Sequence, residues 1–199
     1  CGVESLNFSN EKWQIATTKG STLEADVVII ATGSSQQVWH LLKQLGHTIV
    51  SPVPSLFTFN IKDERIAGLA GLAVPNATVQ LNDAATTLKI QNAPLLITHW
   101  GLSGPAILKL SAFAARELEK ANYNFGITVN WCGGKATAQV VESIRQFKAI
   151  NPKKNVAANP MFGLPKRLWE QLVTINLALY RLNFADLSNK HIDALAQTI

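Results

Sequence analysis

The stretch "LLITHWGLSGPAILKLS", Leu95 to Ser111, switches from the apolar spacing of a strand to that of a helix within a few residues. An apolar run ends at Thr98-His99-Trp100, and Gly-Leu-Ser-Gly-Pro then reads as a turn that opens a helix. Ser103 or Gly104 can cap that helix, and Pro105 suits its first turn, where a missing N–H costs nothing. Ile107, Leu110, Ala114 and Leu118 give it one apolar face over residues 104–120. Strand and helix must share a core here, and the fold class expected is α+β.

The flanking sequence supplies the other elements. "SLNFS" and "KWQIATT" alternate as short strands of a β-meander, with Lys19-Gly20 turning the chain back. In "ADVVIIATG", Ala25 to Gly33, the run Val27 to Ile30 predicts a strand buried on both faces, arriving in a sheet whose other members lie outside this chain. Val38, Leu41, Leu42 and Leu45 predict a helix from Ser35, capped by Ser34 or Ser35 and ended by Gly46. His47, just after it, is placed to interact with the helix's last carbonyls.

Five short strand candidates follow: "SLFTFNI" (55–61), "GLAV" (71–74), "ATVQL" (77–81), "TTLKI" (86–90) and "PLLITH" (94–99). Turns are expected at Pro75-Asn76 and Asn82-Asp83, and five strands so spaced suggest a small barrel or curled sheet. "NFGITVNW" (124–131) returns to strand before Gly133-Gly134. Three helices complete the chain. Val140, Ile144 and Phe147 line the first, and Leu168, Leu172, Ile175 and Leu179 line the second, which Pro165 starts. The third is capped by Ser188 and buries Ile192, Leu195, Ala196 and Ile199. The expected organisation is residues 1–50, a barrel-like unit over 51–134 and a helical subdomain over 135–199, with Pro52 and Pro54 as a stiff seam.

Composition narrows the class. With 47% hydrophobic and 16% charged residues the chain is globular rather than disordered. No apolar run reaches the ~20 residues a bilayer span needs, so no membrane role is expected. Cys1 and Cys132 form neither a disulfide framework nor a metal pattern, and a reduced, cytoplasmic setting is expected. The first residues lack an initiator Met and the last helix carries no stop signal, so a segment cut from a longer protein is expected. Residues 101–199 hold twelve Lys/Arg against six Asp/Glu, so the net charge of +5 sits in that half. Such a surplus is usually a solvated helical surface; the alternative is a binding module whose face over 135–181 recognises RNA or another anionic partner.

Complete catalytic signatures are missing: there is no G-x-G-x-x-G, Walker loop, C-x-x-C or H-E-x-x-H. His40, His47, His99 and His191 are too scattered to predict a metal site. What the chain has is "VVIIATG", then "LGHTIVSPVPSLFTF", then "LLITHWGLSGPAILKLS". Taken together, from about Leu6 to Leu172, these resemble the central part of BaiN-type flavoproteins, aminoacetone-oxidase-like NAD(P)/FAD-dependent oxidoreductases. The most specific elements are T-H-x-G-x-S-G-P-A-I-L at 98–108 and G-H-x-I-x-x-P-x-P-S-L at 46–56.

The resemblance implies an FAD-binding Rossmann-type domain of which residues 1–50 are a remnant, and an inserted barrel-like unit with a helical subdomain. It also implies hydride transfer between NAD(P)H, FAD and a small organic substrate. The rest of the same polypeptide would be this segment's partner, and this chain alone would not hold FAD tightly, lacking the pyrophosphate loop. Ala31, Thr32 and Gly33 are the expected FAD contacts, Gly33 because it lacks a Cβ. Here the sequence departs from the family, which carries a longer Gly-rich stretch where this chain reads "ATGSSQQVWHLL". Thr98, Trp100, Gly101, Ser103 and Gly104 are expected to wall the site, with free N–H groups at the helix start facing an anionic group. His99 is the candidate proton donor. Against this, His99 and Trp100 can be packing residues and Gly-Leu-Ser-Gly-Pro a plain helix start; the insert can also serve self-association.

Overall fold

The computed structural model describes residues 1–82, 88–177 and 179–199. The chain divides into two compact units, Cys1–Pro52 and Val53–Ile199. No helix among the described residues is long and apolar enough to cross a membrane.

In the first unit, β1 (Val3–Ser9), β2 (Lys12–Thr17) and β3 (Thr22–Ala25) form the expected antiparallel meander in that order. Asn10 and Glu11, both at positive φ, make the two-residue turn that pairs Ser9 with Lys12. Helix α1 (Gln36–Gln44) is capped by Ser35, whose hydroxyl accepts the Val38 N–H. It ends in a Schellman motif: His47 N–H reaches Leu42 O at 3.0 Å, Gly46 N–H reaches Lys43 O at 3.1 Å, and Gly46 takes φ +90°. His47 thus serves the helix end through its backbone rather than its imidazole.

The doubly buried strand expected at Ala25–Gly33 is not formed. Pairing stops at Ala25, and Val27 and Ile29 are 73% and 85% exposed. A central strand exists only through its neighbours, and the described residues offer this run none.

In the second unit a five-stranded antiparallel sheet has the order β4 (Phe59–Asn60), β7 (Gly101–Ser103), β6 (Lys89–Ile97), β5 (Ala73–Leu81), β8 (Ile127–Asn130). Four of the sequence segments merge into two long strands. "GLAV" and "ATVQL" are one strand because Pro75-Asn76 forms a bulge, not a turn: Val74 pairs with Leu95 and the next pair is Ala77 with Ala93. An opposing irregularity falls on β6, where Asn92 sits at φ +48° between the pairs Ala93–Ala77 and Ile90–Val79. Compensating bulges restore register and add twist, which curls the sheet. Of "SLFTFNI" only Phe59–Asn60 is strand. The turn proposed at Asn82-Asp83 and the start of "TTLKI" lie outside the described residues.

Helices α2 (Pro105–Phe113) and α3 (Ala115–Lys120) replace the single helix expected over 104–120. Ala114, at ψ +10°, kinks the axis, although Leu118 N–H still reaches Ala114 O at 2.8 Å. Helices α4 (Thr137–Ile150), α5 (Lys166–Leu177) and α6 (Asn189–Thr198) follow the predicted apolar spacings, with Ser188 capping α6 as expected. Leu179 falls beyond α5, at the start of a 3₁₀ turn.

One continuous apolar core runs from the sheet through α2 to these helices. Leu95, Ile97, Ile107, Leu110, Ile144, Trp169, Phe184 and Leu195 are fully buried in it. Trp169 keeps its indole N–H satisfied there by donating to Val156 O at 2.8 Å.

Candidate functional site

Strands β6 and β7 meet in a four-residue turn, Thr98 to Gly101, closed by Thr98 N–H donating to Gly101 O at 2.8 Å. His99 and Trp100 occupy its exposed tip. The Gly101-Leu102-Ser103 part of the motif, expected as turn, is therefore a strand, held on both sides: Leu102 pairs with Phe59 and with Ile97. Ile61 N–H donates to Trp100 O at 2.9 Å, which ties the tip to the segment after β4. The Trp100 indole N–H reaches Thr58 Oγ1 at 3.2 Å while the ring stays 53% exposed.

The two glycines of the motif are required by close approach. A Cβ on Gly101, at φ +147°, would stand 2.3 Å from Phe59 O and 2.5 Å from Ile61 N. One on Gly104, at φ +89°, would stand 3.0 Å from Leu96 N and 3.1 Å from Pro94 O. Gly104 is the N-cap of α2 and offers no side-chain cap. It packs against β6, and neither it nor Ser103 lines the cleft described next. The structure thus brings Thr98, His99 and Gly101 to one cleft and leaves Trp100, expected as a wall, and the start of α2 out of its lining.

That cleft, of about 590 Å³, is lined by Thr98, His99 and Gly101 on one side and by parts of the segment Ile61–Ala70 on the other. Thr98 Oγ1 is buried and has no hydrogen-bond partner among the described residues. A buried hydroxyl without a partner beside a cleft is an open position for a ligand's polar group. Asp63 and Arg65 form a bidentate pair, Arg65 Nε donating to Oδ1 at 2.9 Å and its Nη2 to Oδ2 at 2.5 Å. These bonds hold the Asp63 carboxyl below its ordinary value, so it stays ionised and cannot serve as an acid near neutral pH. The pair is a feature that sequence spacing did not single out; the Asp-x-Arg of "KDER" was its only trace.

Ala31, Thr32 and Gly33 lie in the first unit, exposed and outside any strand. Gly33 takes φ +60° with open space where a Cβ would stand. Cys132 is buried, and burial pushes its thiol up to about 12, which removes it as a nucleophile.

The cations of residues 135–181 do not form one free patch. Lys148 Nζ donates to Leu187 O, Arg167 donates to Gly68 O at 2.8 Å, Lys154 lies 5.5 Å from the Phe147 ring centroid and Lys166 stands 3.8 Å from Glu170. Several of them are thus engaged in holding the fold.

Residues 53–199 match the family model described as the HI0933-like protein barrel and H2TH domain. The chain belongs to this family. HI0933-like domains are linked to flavoprotein oxidoreductases, and the curled sheet followed by α4–α6 accounts for both parts of the name. Two curated relatives are similar to this HI0933-like chain. A ribosomal RNA dihydrouridine synthase of Haemophilus influenzae (strain ATCC 51907 / DSM 11121 / KW20 / Rd) is 26% identical over 171 residues, which is 83% of this chain and 37% of that protein. A ribosomal RNA dihydrouridine synthase of Escherichia coli (strain K12) is 26% identical over 189 residues, 84% of this chain and 42% of the relative. The chain therefore spans about two fifths of the length of the relatives it matches.

Proposed function

We propose that this chain is the substrate-facing part of a BaiN-like, FAD-dependent oxidoreductase that passes a hydride between NAD(P)H and its substrate, with the cleft under the Thr98–Gly101 turn as the substrate position. The observation that carries this reading is the buried, unpartnered Thr98 Oγ1 at a cleft beside His99, in a domain linked to flavoproteins. FAD, when bound, supplies the hydride. Ala31, Thr32 and Gly33 fit the close approach of a planar group to bare backbone, given the open space at Gly33. They supply no phosphate cradle, and that role falls to the rest of the polypeptide.

The residues of the cleft have separate tasks in this scheme. Thr98 Oγ1 donates to or accepts from a carbonyl or imide of the substrate, fixing its orientation. His99 delivers the proton that accompanies the hydride. Trp100, pinned by Thr58 at the exposed tip, stands outside the cleft lining and serves to hold the turn in place. Asp63, ionised beside Arg65, contributes charge rather than a proton.

The names of the relatives support a uracil base in ribosomal RNA as the substrate in place of a free small molecule. Reduction of the C5=C6 double bond adds a hydride to one carbon and a proton to its neighbour, the chemistry for which the cleft is equipped. The test is the full-length protein containing this chain, supplied with FAD, NAD(P)H and ribosomal RNA, with nucleoside mass spectrometry as readout. Uridine should gain two hydrogens, and His99→Gln should slow the reaction about 100-fold or more. Absence of any flavin-dependent NAD(P)H oxidation would refute the oxidoreductase reading; oxidation driven by small molecules but never by RNA would refute the substrate.

A further inference from the structure

A second groove, of about 420 Å³, adjoins the cleft, sharing Ile61 with it. Its walls are aromatic. Phe57 meets Tyr123 edge-on at 5.8 Å between ring centroids, and Phe59 meets Phe125 edge-on at 4.9 Å. Phe59 is buried in the core, whereas Tyr123 is 42% exposed. Phe57 is fixed from behind: its N–H donates to the fully buried Ser111 hydroxyl at 3.0 Å, which in turn donates to Leu108 O.

The backbone beside the groove is held in an unfavourable state. Leu56, Asn122 and Tyr123 all take left-handed φ, at +56°, +48° and +57°. For bulky side chains such as Leu and Tyr this conformation is uncommon and costly, and such residues concentrate at ligand clamps. Two amides, Asn60 and Asn124, line the same groove, and their side chains have no hydrogen-bond partner among the described residues.

These features select a ligand chemistry. Aromatic walls favour a flat ring, and free amides, each with a donor and an acceptor, favour a ring edge that carries carbonyl and N–H groups. An aliphatic ligand would leave both amides unused. A phosphate would need a cation, and neither Lys nor Arg lines this groove. We propose that the groove is a nucleobase-stacking subsite, which receives a base neighbouring the one that enters the cleft. This rests on the RNA reading of the preceding section and adds to it a place where sequence context is sensed.

The experiment measures binding of the chain to two fluorescent single-stranded oligonucleotides of equal length and charge, one bearing uridines and one abasic at the central positions. Phosphate contacts are common to both, so their affinity ratio isolates base stacking. The uridine form should bind about tenfold more tightly. Tyr123→Leu should bring that ratio close to one without weakening the abasic oligonucleotide. Asn124→Ala, a solvent-facing change, should lower the ratio several-fold and serves if the tyrosine variant fails to fold, as judged by circular dichroism. Equal binding of the two oligonucleotides by the unaltered chain overturns the subsite while leaving the RNA substrate intact. Binding of neither overturns the subsite, and the RNA substrate is then decided by the assay of the full-length protein. A third arm titrates lumiflavin: if Tyr123→Leu abolishes lumiflavin binding and leaves the uridine preference unchanged, the groove holds a flavin ring and the proposal fails.

Discussion

Replacing Gly101 by alanine should dismantle the Thr98–Gly101 turn and lower stability by an amount that can be worked from its surroundings. The added Cβ would lie 2.3 Å from Phe59 O in β4 and 2.5 Å from Ile61 N just after it, both backbone atoms, so neither can swing aside. A non-glycine residue at φ +147° costs about 1–3 kcal/mol by itself. Moving the strands apart breaks the Asn60–Gly101 pairing and the Ile61 N–H to Trp100 O bond, at about 1 kcal/mol each. The sum is about 3–5 kcal/mol, a third or more of a typical domain's stability. At about 2–4 °C per kcal/mol for a chain of this size, the melting temperature should fall by about 10 °C. Thermal unfolding followed by circular dichroism reads this directly. The matched control is Gly163→Ala, at φ +71° with open space around it, which should cost only about 1–2 kcal/mol. Equal losses for the two variants would show that backbone conformation, and not strand contact, is what glycine supplies at position 101, and the reasoning would be wrong.

Other expectations follow from single contacts. Ser111→Ala leaves the Phe57 N–H without its acceptor and should cost about 1–3 kcal/mol in urea unfolding; a loss below about 0.5 kcal/mol would mean that water replaces the hydroxyl. Trp169→Ala removes a fully buried indole and its bond to Val156 O, and should cost about 3–5 kcal/mol or leave the chain unfolded. The Cys132 thiol is raised from 9.0 to about 12, so the folded state keeps a proton that the unfolded state releases. Its contribution is complete below pH 9 and is lost as pH climbs toward 12, so stability should decline in that window and decline less in a Cys132→Ala variant. By the same logic iodoacetamide at pH 8 should label Cys1 in the native chain and reach Cys132 only on unfolding.

Much of the local structure was legible along the chain because local rules govern it. Ser35 and Ser188 cap their helices, Gly46 ends α1, and the apolar spacings of α4 and α6 point to the buried faces found. The misreadings share one cause. Pro75-Asn76 carries every local mark of a turn, yet β6 lies alongside and absorbs the pair as a bulge. Gly101 to Ser103 looked like a turn because its two strand partners are contributed by positions 59–60 and 96–97.

The candidate site divides in the same way. His99, Trp100 and the two glycines could be picked out from the motif, since a four-residue turn is written in consecutive residues. The Asp63–Arg65 pair beside Thr98 and the ring cluster of Phe57, Phe59, Tyr123 and Phe125 could not, because each joins segments more than thirty residues apart. Sequence alone therefore determined where most of the helices lie and how α1 and α6 are capped, and it singled out the residues of one exposed turn. Only the tertiary structure decided which backbone presses on Gly101, which hydroxyl is left without a partner and which aromatic rings share a wall. Spacing along a chain encodes periodicity, whereas contact across a sheet depends on register, and register is set by the whole core at once.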